Sequence, residues 1–253
     1  MRLHSEYYGD SAGQPLVLLH GWGMHSGVWQ PLLESLSGYS VTLIDLPGLG
    51  RSAGVMPPSY TLDAVTDLLQ EVAPEQAIWL GWSLGGIVAM AFAQRFPERV
   101  AKLITLATSP CFVQRSDWSE GMDPETYQGF EQSLSENPSK TLQRFNMLQV
   151  QGSTTARADS KLLKQVLAQT ELPPVENLEQ SLALLKADYR KLYSSISLPT
   201  LHILCQLDSL APQSIAAQLP AFCEADQVVL AEQSHVPFLS NGPLLAAEME
   251  AWL

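Results

Sequence analysis

The chain has 253 residues, 46% hydrophobic and 16% charged, with every aromatic type present, which suits one sizeable folded core and excludes a disordered or fibrous chain. Its net charge of −12 speaks against nucleic acid, whose phosphates need a basic face. Three widely spaced cysteines, Cys111, Cys205 and Cys223, suggest neither a disulfide framework nor a zinc site, so buried thiols and no metal are expected.

The first nine residues have no apolar run long enough for a signal peptide, and no later stretch reaches transmembrane length. A cytoplasmic protein without membrane contact is the expectation. Short apolar runs then follow at 16–19 and 41–44, a helix-length pattern at 62–72, a third run at 77–80, and a second helical pattern at 84–96 stopped by Pro97. A fourth run occupies 103–106. Near-continuous apolar runs suit strands buried on both faces of a parallel sheet, and their alternation with helices implies an α/β fold with a mostly parallel central sheet.

The alternation breaks after Pro110 and resumes near Pro199, with runs at 201–204 and 228–230. Residues 123–190 read as helices only, with N-cap residues preceding proline at Asp123-Pro124 and Asn137-Pro138 and a Pro173-Pro174 punctuation. The expected organisation is a core of 1–112 and 193–253 with a helical cap, 113–192, inserted over the C-terminal edge of the strands. Open α/β sheets bind their ligands at that edge.

Two segments match the pattern G-x-S-x-G, Gly50-Arg51-Ser52-Ala53-Gly54 and Gly81-Trp82-Ser83-Leu84-Gly85. A nucleophilic serine needs a strand before it, a strained turn that lifts its hydroxyl above the sheet, and a helix whose first amides face the developing oxyanion. Ser83 has all three, whereas Ser52 follows Leu46-Pro47-Gly48-Leu49 and belongs to a loop. Ser83 is the expected nucleophile, and the fold class the α/β-hydrolase fold.

A serine hydroxyl becomes nucleophilic when a histidine accepts its proton and an acid orients the imidazole, here in the chain order Ser, acid, His. Only His202 and His235 follow Ser83. His202 lies inside an apolar strand run and reads as a core residue. His235 lies in the loop after the last strand and is the expected base. Asp208, in the loop after 201–205, is the expected acid; Asp45 precedes the nucleophile and reads as a turn brace, and Asp226 and Glu232 as solvated flanks. The oxyanion donors are expected to be the amides of Leu84 and of Trp22, the latter in His20-Gly21-Trp22-Gly23 after the first run. His20 reads as a brace of that turn.

Several segments together resemble a known family: Leu18-Leu19-His20-Gly21-Trp22-Gly23, Asp45-Leu46-Pro47-Gly48-Leu49-Gly50-Arg51-Ser52, Trp79-Leu80-Gly81-Trp82-Ser83-Leu84-Gly85-Gly86, Ser109-Pro110-Cys111-Phe112, Arg144-Phe145-Asn146-Met147-Leu148-Gln149 and His235-Val236-Pro237-Phe238. Nearly end to end, the chain is similar to the pimeloyl-acyl-carrier-protein methyl ester carboxylesterases of biotin synthesis. The resemblance implies hydrolysis of the methyl ester on a carrier-linked pimeloyl chain, with release of methanol and no cofactor. It also implies an acyl site lined by Trp22, Ser83, Leu84, His235 and the stretch Phe145, Asn146, Met147, Leu148 and Gln149. Phe145, Met147 and Leu148 equally suit packing of the cap on the core, and both can hold. Asn146, Ser209, Gln233 and Ser234 stand beside functional positions as departures that would tune chain-length preference.

Residues 140–164 carry Lys140, Arg144, Arg157, Lys161 and Lys164 against one acid, Asp159. Lys140 with Arg144, and Arg157 with Lys161, are four apart and share a helix face. The family carries arginines at these cap positions to receive the acidic acyl carrier protein, so Lys140, Arg144, Arg157 and Lys161 are the expected docking residues. Lysine at two of them keeps charge and loses the guanidinium fork. A solvated face is the alternative. A monomer is expected. Rival activities are a broad carboxylesterase or thioesterase, a carbon–carbon bond hydrolase, and a binding module without turnover.

Overall fold

The six apolar runs become six neighbouring parallel strands, the inner ones covered on both faces and the last, at the sheet edge, leaving Val229 exposed. The structure, a computed structural model, describes residues 2–253. Its strands are β1 (Ser5–Gly9), β2 (Gln14–Leu19), β3 (Tyr39–Ile44), β4 (Ala77–Trp82), β5 (Val100–Leu106), β6 (Thr200–Cys205) and β7 (Asp226–Leu230). They form one sheet in the order β1-β3-β2-β4-β5-β6-β7, and β1 alone runs antiparallel, against β3. This edge strand carries the exposed Tyr7 and Tyr8 and has no continuous apolar run, so the sequence gives no strong strand signal there.

Alternation along β2 divides the core. Leu16 and Leu18 join the apolar cluster on one face, and Val17 and Leu19 the cluster on the other. The remaining helices of the core are α1 (Gln30–Leu33), α2 (Leu62–Gln70) and α3 (Leu84–Arg95), with α9 (Ile215–Gln218), α10 (Pro237–Ser240) and α11 (Gly242–Trp252) after β6. Helix α3 is apolar all round and buried from Leu84 through Ala93, as expected of a helix clamped between the sheet and its neighbours.

Between β5 and β6 lie α4 (Pro124–Glu136), α5 (Pro138–Gln149), α6 (Ala156–Leu167), α7 (Val175–Ala183) and α8 (Arg190–Ser195). Both proline-led starts are capped as their sequences require. Asp123 accepts from Thr126 N at 2.8 Å and Asn137 from Lys140 N at 3.1 Å. The expected boundary at 192 falls inside α8, which continues to Ser195 because Leu192 and Tyr193 bury its inner face. Among the described residues no helix is long and apolar enough to cross a membrane.

Because β2, β4, β6 and β7 are parallel, their C-terminal ends share one edge of the sheet. The segments holding Trp22, Ser83, Asp208 and His235 all leave from that edge.

Candidate active site

Strand β4 ends at Trp82 and α3 begins at Leu84, which leaves Ser83 alone to reverse the chain. It does so at φ 55°, ψ −119°, a conformation that an L-residue holds only when its surroundings impose it. They do: Ser83 N donates to Leu106 O at 2.9 Å, and Thr108 Oγ1 donates to Ser83 O at 3.2 Å. A Cβ on Gly81 would lie 2.2 Å from Gly85 O, and one on Gly85 2.4 Å from Leu19 O, so the turn closes only with glycine at both places.

His235 is buried and held on three sides. Its Nδ1 donates to Asp208 Oδ2 at 2.7 Å, its amide to Gln149 O at 3.1 Å, and its carbonyl accepts the Trp82 indole N–H at 2.8 Å. Asp208 Oδ1 accepts the amides of Leu210 and Ala211 at 2.8 and 3.0 Å, which fixes the carboxylate and leaves Oδ2 to the histidine. His235 Nε2 is buried without a protein hydrogen-bond partner among the described residues, the Ser83 hydroxyl included. The expected serine–histidine bond is therefore not formed in this geometry; such bonds are commonly long until a substrate tightens them. An orphaned, buried imidazole nitrogen costs free energy that a purely structural histidine would avoid.

The amides of Trp22 and Leu84, the expected oxyanion donors, have no protein acceptor among the described residues. The Trp22 ring is locked in place. Its indole N–H donates to Leu178 O on α7 at 3.0 Å, and its face meets Phe145 and Phe130 edge-on, with centroids 5.1 and 5.5 Å away.

The competing residues have other duties. Ser52 Oγ donates to Asp45 O and accepts the His4 amide, both at 2.9 Å. Asp45 accepts the amides of Ser26 and Arg51 at 2.6 and 2.8 Å. His20 Nε2 accepts Leu46 N at 2.9 Å, so Nδ1 carries the proton and donates to Gly21 O at 2.8 Å. Burial lowers the His20 pKa to about 4, which keeps this brace neutral. His202 meets Thr105 Oγ1 at 2.7 Å, stacks on Tyr193, and is likewise lowered to about 4 by burial.

A narrow apolar cavity opens at Ser83, walled by Phe112, Met122, Tyr127, Phe130, Phe145, Leu182, Leu185 and Leu210. Only Phe145 of these was expected as a site residue; Phe112 lies in a motif of the resemblance, and the rest give no signal in the sequence because they converge from separate elements. A larger cavity of about 410 Å³ lies against the other side of α5, with Gly23, His25, Leu142, Asn146 and Lys164 in its wall.

The stretch Phe145–Gln149 does not face the site as a whole. Met147 is 64% exposed, and with Leu148 it lines a surface groove beside Arg157. For Met147 the expectation that it lines the acyl site is corrected, whereas Leu148 is half-buried and packs against the core cluster that holds Trp22, Leu84 and Phe145; successive residues of a helix turn by about 100°, so five in a row cannot point one way. Asn146 and Gln149 are buried and touch each other, Gln149 Nε2 donating to Asn146 Oδ1 at 3.2 Å, while Asn146 Nδ2 and Gln149 Oε1 lack partners.

Lys140, Arg144, Arg157 and Lys161 are all exposed. Arg2, Arg51, Arg95, Arg99, Lys102, Arg115, Lys186 and Arg190 each donate to a carboxylate or carbonyl. No such bond is formed by Lys140, Arg144, Arg157, Lys161 or Lys164 among the described residues.

The α/β-hydrolase fold family matches residues 14–242. The pimeloyl-[acyl-carrier protein] methyl ester esterase of Salmonella enteritidis is 43% identical over 229 residues, covering 89% of this chain and 88% of that protein. That of Pectobacterium carotovorum is 42% identical over 229 residues, covering 89% of each. Among solved structures, an esterase from Exiguobacterium antarcticum superposes with a TM-score of 0.84 at 21% identity, over 99% of this chain and 94% of that one. An enol-lactonase from Burkholderia xenovorans does so with a TM-score of 0.82 at 19% identity, over 99% and 95%. At such identity the structural likeness speaks for the fold alone.

Proposed function

Because this chain belongs to the α/β-hydrolase fold family and, within it, to the pimeloyl-[acyl-carrier protein] methyl ester esterases, we propose that it hydrolyses the methyl ester of a pimeloyl chain borne on acyl carrier protein, releasing methanol. The observation that carries this reading is the buried Asp208–His235 pair with Nε2 left unpaired, on the same sheet edge as a serine held at positive φ.

In this reading Ser83 Oγ attacks the ester carbonyl while His235 Nε2 takes its proton. Asp208 stays ionised, holds Nδ1–H, and stabilises the imidazolium that forms. The amides of Trp22 and Leu84 receive the oxyanion. Collapse of the intermediate transfers the proton from Nε2 to the departing methoxide, and methanol leaves. Water then attacks the acyl-enzyme by the same route in reverse roles and frees the carboxylate. The apolar walls around Ser83 suit a methylene chain, which has no hydrogen bonds to satisfy. Residues Lys140, Arg144, Arg157 and Lys161 receive the acidic carrier, and their lack of internal partners supports this role, since they need break no ion pair to do so.

Labelling with a fluorophosphonate tests the site. Wild-type protein is expected to react at Ser83 and Ser83→Ala to be inert, with turnover of the carrier-linked methyl ester falling by roughly 10³-fold or more. A wild-type chain that neither labels nor turns over the ester refutes the reading.

A further inference from the structure

Met147 belongs to a helix whose neighbours Phe145 and Asn146 are buried, yet it is 64% exposed; only Tyr7 on the edge strand is more exposed among the described large apolar side chains. It does not stand alone. With Leu148 and Val150 it lines an open groove of about 610 Å³ between the end of α5 and the start of α6, floored by Ala156 and flanked by Arg157. The stripe Lys140, Arg144 and Met147 runs along one side of α5, since these positions are four and three residues apart, and Gln151, in the turn after the helix, also lines the groove. Arg157 and Lys161 form the facing stripe on α6. Arg157 thus lines the apolar groove, Arg144 and Lys161 stand one helical turn from its lining residues Met147 and Arg157, and Lys140 one turn beyond Arg144; none of the four side chains has a hydrogen-bond partner among the described residues, in a protein of net charge −12.

We infer that this groove is the apolar centre of the carrier-docking face, and that Met147 is its anchor, packing against an apolar side chain that the acidic carrier presents between its carboxylates. The inference rests on the carrier reading above and deepens it. Charge complementarity selects the occupant. A second copy meeting this face with its own, as in a two-fold dimer, would set cations against cations, whereas a carrier helix bearing carboxylates around an apolar residue matches both the cations and the groove. Methionine suits such a surface because its flexible, polarisable side chain adapts to a partner that must dock and leave in each turnover. The cations steer and orient, and the desolvated apolar centre holds. The same helix reaches the chemistry: α5 ends at Gln149, whose carbonyl accepts the His235 amide.

Holo-acyl carrier protein, bearing its phosphopantetheine arm, is titrated into the parent protein, Met147→Ser, Met147→Leu and the double variant Arg144→Glu/Arg157→Glu, at low and high salt. Met147→Ser is expected to raise Kd roughly tenfold at both salt concentrations, leaving the salt dependence as in the parent, while Met147→Leu stays within about twofold. The charge reversal is expected to raise Kd and flatten the salt dependence. If the charge reversal weakens binding and Met147→Ser does not, the groove is outside the contact and the inference is overturned while carrier docking stands. If none of the variants alters binding, or the parent does not bind, the carrier reading itself fails. Met147 is a surface residue, and unchanged melting temperatures of its variants exclude misfolding as the cause.

Discussion

Ser83 holds a backbone conformation that costs on the order of 1–3 kcal/mol, and the surrounding hydrogen bonds and glycines leave it no alternative. His235 is treated differently from the other buried imidazoles. His20 and His202 have their nitrogens engaged by neighbours, whereas His235 keeps Nε2 unpaired. The two engaged histidines set a test. Each titrates near 6.5 when unfolded and near 4 in the fold, so between those values the unfolded chain binds protons that the fold refuses. Stability is therefore expected to fall as pH is lowered from about 6.5 towards 4, by about 2–3 kcal/mol for each histidine. Urea unfolding at pH 7 and pH 4.5 reads this out, and His202→Asn should show lower stability at pH 7 with a shallower decline. An undiminished slope in that variant would show that His202 does not contribute. That Ser83, Asp208 and His235 leave one edge of the sheet was legible in the sequence, because each follows an apolar run. The orphaned state of Nε2 was not, since it depends on which side chains from distant segments stop short of it.

At the scale of elements, α5 and α6 join the exposed basic surface to the histidine loop. The carbonyl of Gln149 takes the His235 amide, and buried Asp159 on α6 accepts the Ser240 hydroxyl on α10, which begins two residues after His235. Thr155 Oγ1 also donates to Asp159, at 2.6 Å. Asp159→Ala strips two hydroxyls of their acceptor and is expected to cost about 1–3 kcal/mol of stability. Because α10 carries on directly from the base, the loss should appear in kcat for any ester substrate more than in KM, by severalfold. Steady-state kinetics with a p-nitrophenyl ester checks it, and an unchanged kcat would show that α10 does not position His235. The helices themselves were readable from Asp123-Pro124 and Asn137-Pro138, whose side chains cap as their types require. Which residues of 145–149 point inward was not readable from the resemblance, because the register of a helix face is decided by what it packs on. Asp159 read only as the lone acid in a basic stretch, and its burial shows another use.

Over the whole molecule, charge is segregated: the chain carries −12, but five of the six cations without a partner among the described residues lie on α5 and α6, the sixth being Lys191 on α8. At distances beyond the Debye length, about 8 Å at physiological ionic strength, the overall charge is screened and the local patch governs encounter. Raising salt from 50 to 500 mM is accordingly expected to lower kcat/KM for carrier-linked ester by about tenfold or more while that for a small neutral ester stays nearly flat. Parallel decline of both would refute electrostatic docking. The sequence by itself determined the alternation of strand and helix, the serine elbow and the placing of Ser83, Asp208 and His235 after successive strands, because apolar periodicity, glycine at a tight turn and chain order are local properties. Only the tertiary structure decided that the Ser83 cavity is walled by residues from the β5–α4 segment, α4, α5, the end of α7 and the loop after β6, that Met147 faces solvent beside Arg157 rather than the acyl site, and that Asp159 ties α6 to α10. Those facts arise where separate elements pack against one another, and no single stretch of chain carries the information that fixes such a junction.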